Sequence, residues 1–254
     1  MSVKQKEQVD FGFKNVEKGD KATLVKGVFK SVAGKYDVMN DFMSVGVHRL
    51  WKDKMVSMIS LGDGGAMLDL AGGTGDIGFR VVEKCRKKNV KAEIVTTDVN
   101  EHMLEEGRRR SVDRNFFNDV SWKQVDAENI PFPDDYFDYV TISFGIRNVT
   151  DKDKALREIY RVLKPTGRFL CLEFSNVNNP LLSKIYDFHS FNVIPKVGGL
   201  VTGDSESYQY LVESIRKFPN RKNFAKMIED AGFENVTAQA LTGGIVAIHS
   251  GWKV

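Results

Sequence analysis

Ala66-Met67-Leu68-Asp69-Leu70-Ala71-Gly72-Gly73-Thr74-Gly75-Asp76-Ile77-Gly78 is the stretch that decides how this 254-residue chain folds. A short apolar run meets a cluster of glycines, and a helical pattern carrying Ile77, Phe79, Val81 and Val82 follows at once. That order predicts a buried parallel strand, a tight turn and a helix. Glycine suits a turn whose backbone takes positive φ or lets a ligand approach the main chain. The free amides at the helix start suit an electron-rich ligand. Gly73, Gly75 and Gly78 also fit the G-x-G-x-x-G spacing, a pattern that serves equally to let strand and helix pack.

Working outward, strands and helices alternate. Strands are expected at Ala92–Thr97, Val120–Val125, Phe137–Phe144 and Arg168–Phe174, with helices after the glycine turn, from Glu101 into Arg108-Arg109-Arg110, and from Asp151 to Leu163 with Thr150 as N-cap. The arginine run reads as a solvated helix C-terminus. Such alternation predicts a doubly wound parallel sheet with its ligand at the carboxyl ends of the strands. Polar residues fall at four consecutive ends: the glycine turn, Asp98, Asp126, and Ser143 with Arg147 and Asn148. A carboxylate about 20 residues past the glycines is placed for ribose hydroxyls, and Asp98 fits. Nicotinamide enzymes and S-adenosylmethionine enzymes share that feature. An acidic loop after the third strand, where Asp126 accepts from an adenine amino group and the Ala127 amide donates to the ring, favours the second class. So does the ending, where Val236–Leu241 and Ile245–His249 flank Thr242-Gly243-Gly244 as a hairpin.

Composition narrows the rest. The net charge of +3 is too small to argue for nucleic acid, and no partner of that kind is expected. Cys85 and Cys171 are isolated, which suits reduced thiols, and no His/Cys/carboxylate spacing supports a metal. His48, His102 and His249 are assigned packing or surface roles. The N-terminus shows neither a signal peptide nor a transit peptide, and no apolar run approaches the ~18 residues of a membrane span.

Resemblance sharpens the assignment. Leu68 to Asp76 resembles the first motif of class I methyltransferases, with Ala71 where many members have glycine. Lys35-Tyr36-Asp37-Val38-Met39-Asn40-Asp41, Gly46-Val47-His48-Arg49-Leu50-Trp51-Lys52, Phe144-Gly145-Ile146-Arg147-Asn148-Val149-Thr150 and Ser207 to Arg216 resemble the ubiquinone/menaquinone biosynthesis C-methyltransferases. The resemblance implies one methyltransferase domain over residues 1–254. Its sheet is seven-stranded, mostly parallel and closed by an antiparallel hairpin, with an N-terminal helical cap at 11–60 and a helical insertion at 176–219. It implies S-adenosylmethionine as methyl donor, held by Asp69, Gly73, Thr74, Gly75, Asp98, Asp126, Ala127 and Ser143. It implies a polyprenyl benzoquinol or demethylmenaquinol as acceptor, contacted by Tyr36, Asn40 and His189.

Arg147 and Asn148 follow the fourth strand and are the expected catalytic pair. Arg147 would stabilise the phenolate or polarise a water; the alternative is an ion pair with Asp151 or Asp153. His189 and Asp187 are second candidates for the base. A nicotinamide oxidoreductase and a non-catalytic assembly subunit of the quinone pathway are the competing classes. A cytoplasmic protein, peripheral on the inner membrane face (or in the mitochondrial matrix for a processed form), fits the assignment. So do contacts with other quinone-biosynthesis proteins and a homodimer.

Overall fold

A computed structural model describes residues 7–32, 46–175 and 205–254. Its centre is a seven-stranded sheet in the order β5-β4-β3-β6-β7-β9-β8. The strands are β3 (Ala66–Leu70), β4 (Glu93–Asp98), β5 (Val120–Gln124), β6 (Phe137–Ser143), β7 (Leu163–Phe174), β8 (Glu234–Leu241) and β9 (Val246–Trp252). Pairs among β3 to β7 are parallel, and β9 runs antiparallel to both β7 and β8. This is the expected doubly wound sheet with its closing hairpin. The chain steps outward from β3 to β4 and β5, then returns to β6 on the other side of β3. The switch point between β3 and β6 is where such sheets open a crevice.

Alternation along each strand sends side chains to two cores. Met67, Leu170, Leu172 and Phe174 face one layer with α2 (His48–Ser57), α3 (Asp76–Lys87) and α6 (Ser205–Lys217). Leu68, Leu70, Phe169 and Cys171 face the other, with α5 (Lys152–Val162) and α7 (Arg221–Asp230). The helix α4 (Glu101–Asp113) covers β4 and β5. Ion pairs tie α2 to the start of α3. Lys52, 5% exposed in its side chain, bonds Asp76 at 2.8 Å, Arg80 bonds Asp76 at 3.1 Å, and Asp53 pairs with Arg80. Burial alone would push the Asp76 carboxyl up, but Lys52 and Arg80 bring it down to about 2.

Several local readings are corrected. Asp151, not Thr150, caps α5: its side chain accepts from the Lys154 amide at 2.9 Å. Both residue types can cap, and the chain turns extended at Asp151. The fifth strand begins at Leu163, which pairs with Phe137, and a register shift follows before Arg168 meets Tyr139. An antiparallel hairpin of β1 (Gln8–Phe11) and β2 (Lys14–Glu17) precedes α1 (Lys18–Val32), although its sequence carries no strand signal. It docks on α6, where Phe11 stacks on Tyr210 at 4.3 Å and the Phe13 amide donates to Glu213 at 2.9 Å. Of the expected insertion, Ser205–Lys217 is helical; Asp187, His189 and the rest of 176–204 lie outside the described residues, as do Tyr36 and Asn40.

Candidate active site

A cleft opens at the switch point, with about 870 Å³ of empty space counting the part open to solvent. Its floor is Ala71 and Gly73 of the glycine turn and Phe144, Gly145 and Asn148 after β6. One wall is Asp98, Val99 and Met103, another is Val125, Asp126 and Ala127, and Ala22, Val25 and Lys26 of α1 close over the top.

Two glycines shape the turn. Gly75, at φ +85°, caps α3 in the left-handed region, and a Cβ there would overlap the Trp122 ring. Gly145 sits beside the turn, and a Cβ on it would lie 2.6 Å from the Ala71 Cβ. Ala71 itself holds φ +48°, a strained value for alanine. Gly145→Ala should therefore cost about 1–3 kcal/mol as an overpacked contact. Adding Ala71→Gly should return most of that loss, by clearing the clash and relaxing the backbone. Urea midpoints for the four proteins of the cycle check this, and additive effects would refute it.

Charge is concentrated at the strand ends. Asp98 accepts the Gly73 amide at 3.1 Å and the Asn100 amide at 2.8 Å. Burial pushes its carboxyl up to about 6, against the pull of those amides. Asp126 accepts the Glu128 amide at 2.9 Å, which fixes the loop that carries Ala127. Asp69 lies beneath the turn, fully buried, accepting from the Thr141 hydroxyl at 2.8 Å, and burial raises it to about 7.

The structure thus brings Gly73, Asp98, Asp126, Ala127 and Asn148 to one cleft. Asp69, Thr74 and Gly75 support it from below. Thr74 is buried, and its hydroxyl accepts from Arg110 at 2.6 Å. This corrects the reading of the arginine run: Arg108 and Arg109 pair with Glu101 and Glu106, but Arg110 reaches back to the glycine turn. Ser143 ends β6 with a buried hydroxyl that has no hydrogen-bond partner among the described residues.

Arg147 does not line the cleft. Its guanidinium, 2% exposed, pairs with Glu173 at 2.8 Å and donates to the Phe144 carbonyl at 2.6 Å. Neither Asp151 nor Asp153 is its partner. Asn148, on the cleft wall, accepts from the Tyr210 hydroxyl at 3.1 Å.

These residues fit S-adenosylmethionine. The carboxylate of Asp98 stands at the end of β4, and an apolar slot runs between Val99, Met103, Val125 and Ala127. Ala22, Val25 and Lys26 of α1 were not among the site residues expected from the sequence, and the apolar stripe that carries Val25 was the available signal.

Comparison with known proteins agrees with this geometry. The chain is 54% identical over 246 residues to the ubiquinone/menaquinone biosynthesis C-methyltransferase UbiE of Brucella anthropi, covering 96% of this chain and 92% of that protein. It is 49% identical over 247 residues to the UbiE of Rickettsia bellii, covering 97% and 99%. Among solved structures, the fold is similar to a putative methyltransferase from Haloferax volcanii in complex with its Trm112 activator. That match has a TM-score of 0.63 at 16% identity, over 90% of this chain and 97% of the other. It is also similar to an S-adenosylmethionine-dependent methyltransferase from Aquifex aeolicus, with a TM-score of 0.58 at 17% identity over 80% and 89%. A model of the ubiE/COQ5 methyltransferase family matches residues 14–253, and the chain belongs to that family.

Proposed function

We propose that this cleft methylates the ring carbon of a polyprenyl quinol, a 2-polyprenyl-6-methoxy-1,4-benzoquinol or a demethylmenaquinol, in ubiquinone/menaquinone biosynthesis. S-adenosylmethionine supplies an electrophilic methyl group on a sulfonium. The observation that carries the reading is the placement of Asp98 and Asp126 at the ends of neighbouring strands, facing one apolar cleft at the switch point. Asp98 orients two ribose hydroxyls, Asp126 and the Ala127 amide read the adenine edge, and Gly73 lets the main chain approach the methionine portion. Asn148 and the floor at Phe144 and Gly145 position the acceptor ring, while α1 excludes water. Loss of a phenolic proton makes the ortho carbon nucleophilic, so the protein must favour the phenolate and hold carbon and methyl about 3 Å apart. Arg147, held by Glu173 and the Phe144 carbonyl, positions the turn that carries Asn148 into the site.

The described N-terminal elements and Ser205–Lys217 contribute to an apolar cover over ring and first prenyl units, and the expected ring contacts Tyr36, Asn40 and His189 lie outside the described residues. That cover rests on a membrane surface to collect the lipid. Phe13 and Leu24, exposed at 54% and 40%, support this placement, and no described helix is long and apolar enough to cross a bilayer.

Calorimetric titration with S-adenosylmethionine and NADH, followed by mass spectrometry of quinol products, tests the class. Cofactor binding with methylated quinol is the expected result. NADH binding alone would favour an oxidoreductase, and failure to bind either would favour the assembly subunit. Flotation with anionic liposomes tests the membrane contact; no association would remove it.

A further inference from the structure

The Ile146–Asn148 turn places Asn148 in the cleft lining, and its backbone is fixed from two sides. The Asn148 amide N–H donates to the Gly145 carbonyl at 3.0 Å, and Arg147 beside it is clamped to Glu173 and the Phe144 carbonyl. The side-chain amide still has two orientations of nearly equal shape, with Oδ1 and Nδ2 exchanged. One presents an acceptor to the cleft and the other a donor. The Tyr210 hydroxyl decides between them, because it donates to Asn148 Oδ1 at 3.1 Å.

Two features hold Tyr210 to that direction. Its side chain is 5% exposed and its ring stacks on Phe11 of β1 at 4.3 Å, with the planes 21° apart, which fixes the ring. Tyr210 also borders a small cavity behind the turn, where Lys21, Arg147, Lys152 and Lys217 stand against one carboxylate, Asp10, itself 3.4 Å from Lys217. Positive surroundings favour a hydroxyl with its oxygen toward the cations and its proton turned away from them, toward Asn148. Burial pushes the phenol up to about 12, against the pull of Arg147, so Tyr210 keeps the proton it donates.

With Oδ1 turned back to Tyr210, the planar amide points its NH₂ group the other way. That group makes no hydrogen bond among the described residues, and Asn148 is half-buried in the cleft lining. We propose that Tyr210 is a positioning residue that sets Asn148 as a hydrogen-bond donor, and that this donor binds the ring oxygen next to the carbon that is methylated.

The proposal rests on the quinol reading and names the group of the acceptor that the site selects. An N–H donor bonds a phenolate oxygen more strongly than a phenol oxygen, so the bond tightens as the neighbouring carbon becomes nucleophilic. A flipped amide would instead accept from the phenol O–H and favour the neutral, unreactive form. Tyr210 acts only through Asn148.

The test compares two geranylated probes, a methoxybenzoquinol and the same ring without its two hydroxyls. Each is titrated by calorimetry against the full-length protein with S-adenosylhomocysteine present. The wild type should prefer the quinol, and Asn148→Asp, which has no donor, should lose that preference. Tyr210→Phe keeps the ring and its stack but frees the amide to turn. Preference and single-turnover methylation should each fall about tenfold, the loss of one hydrogen bond. S-adenosylmethionine affinity and melting temperature should stay near wild type. Added to Asn148→Asp, Tyr210→Phe should change neither preference nor rate further, because no amide is left to orient. Equal fold losses from Tyr210→Phe in both backgrounds would overturn the proposal. So would an unchanged preference in Tyr210→Phe, or a fall in melting temperature that tracks the fall in turnover, the mark of a packing role. A wild type that binds both rings alike would overturn it even with methylation intact, leaving the proposed reaction standing. If the wild type prefers the quinol through this pair but methylates none, the assignment of Tyr210 and Asn148 stands and the methyl-transfer reading falls.

Discussion

Arg147→Met should destabilise the protein by about 3–5 kcal/mol, because it leaves the Glu173 carboxylate buried without its counter-charge. Glu173 is 1% exposed, and among the described residues its oxygens otherwise accept only the Phe174 amide at 2.9 Å and the Arg147 amide at 3.4 Å. At this chain length the loss corresponds to roughly 6–20 °C in melting temperature. Glu173→Gln in the same protein should recover most of it, since a neutral amide can stay buried against those donors. The loss would be confined to about 1 kcal/mol if the pair behaved like an exposed one. Arg147→Lys separates stability from chemistry. Lysine keeps the charge but not the planar fork that serves Glu173 and the Phe144 carbonyl together. Cofactor affinity should hardly change, while single-turnover methyl transfer should fall about 10²-fold. A near-normal chemical step in the folded Lys variant would show that Arg147 serves the fold alone.

The ion pair also shows where sequence reading stops. Near neighbours Asp151 and Asp153 were the partners a linear reading offers for Arg147. The true partner is set by strand register: Ser143 of β6 pairs with Leu172 of β7, so the turn after one strand meets Glu173 on the next. Parallel pairing of strands that are remote in sequence leaves no local signal. The β1–β2 hairpin is hidden for a similar reason. Gln8 to Glu17 has little apolar alternation of its own, and Phe11 is held by Tyr210 from the far end of the chain. Chemistry tied to strand ends was legible, by contrast. An apolar run followed by Gly72-Gly73-Thr74-Gly75 admits few structures besides a strand, a turn and a helix, and the alternation that follows fixes which edge carries the ligand. Lys21 and Lys152 stand between these cases. A lysine on the apolar stripe of α1 is visible in sequence, but what faces it becomes visible only when α1, α5 and α6 are packed.

Asp98→Ala should weaken S-adenosylmethionine binding by about 1.5–3 kcal/mol, the scale of charge-assisted hydrogen bonds, which is roughly 10- to 150-fold in Kd. The carboxylate has two tasks. One oxygen accepts the Gly73 amide at 3.1 Å and holds the glycine turn against β4, and the other accepts the Asn100 amide at 2.8 Å and fixes the start of α4. The remaining lone pairs face the cleft. Asp98→Asn should therefore do no better than alanine, since its NH₂ group would point at one of two backbone donors. The pH dependence follows from the raised carboxyl. Burial holds Asp98 at about 6 without cofactor, and only the ionised form offers acceptors to hydroxyl donors at full strength. Binding favours that form, so affinity should be level above pH 6 and fall about tenfold for each unit below it, with proton release on binding in that range. In Asp98→Ala this slope should vanish. Calorimetry at pH 5, 6 and 7.5 in two buffers of different ionisation enthalpy measures both affinity and proton release. A wild-type affinity unchanged between pH 5 and 7.5, or an Ala variant that binds normally, would remove Asp98 from the cofactor site.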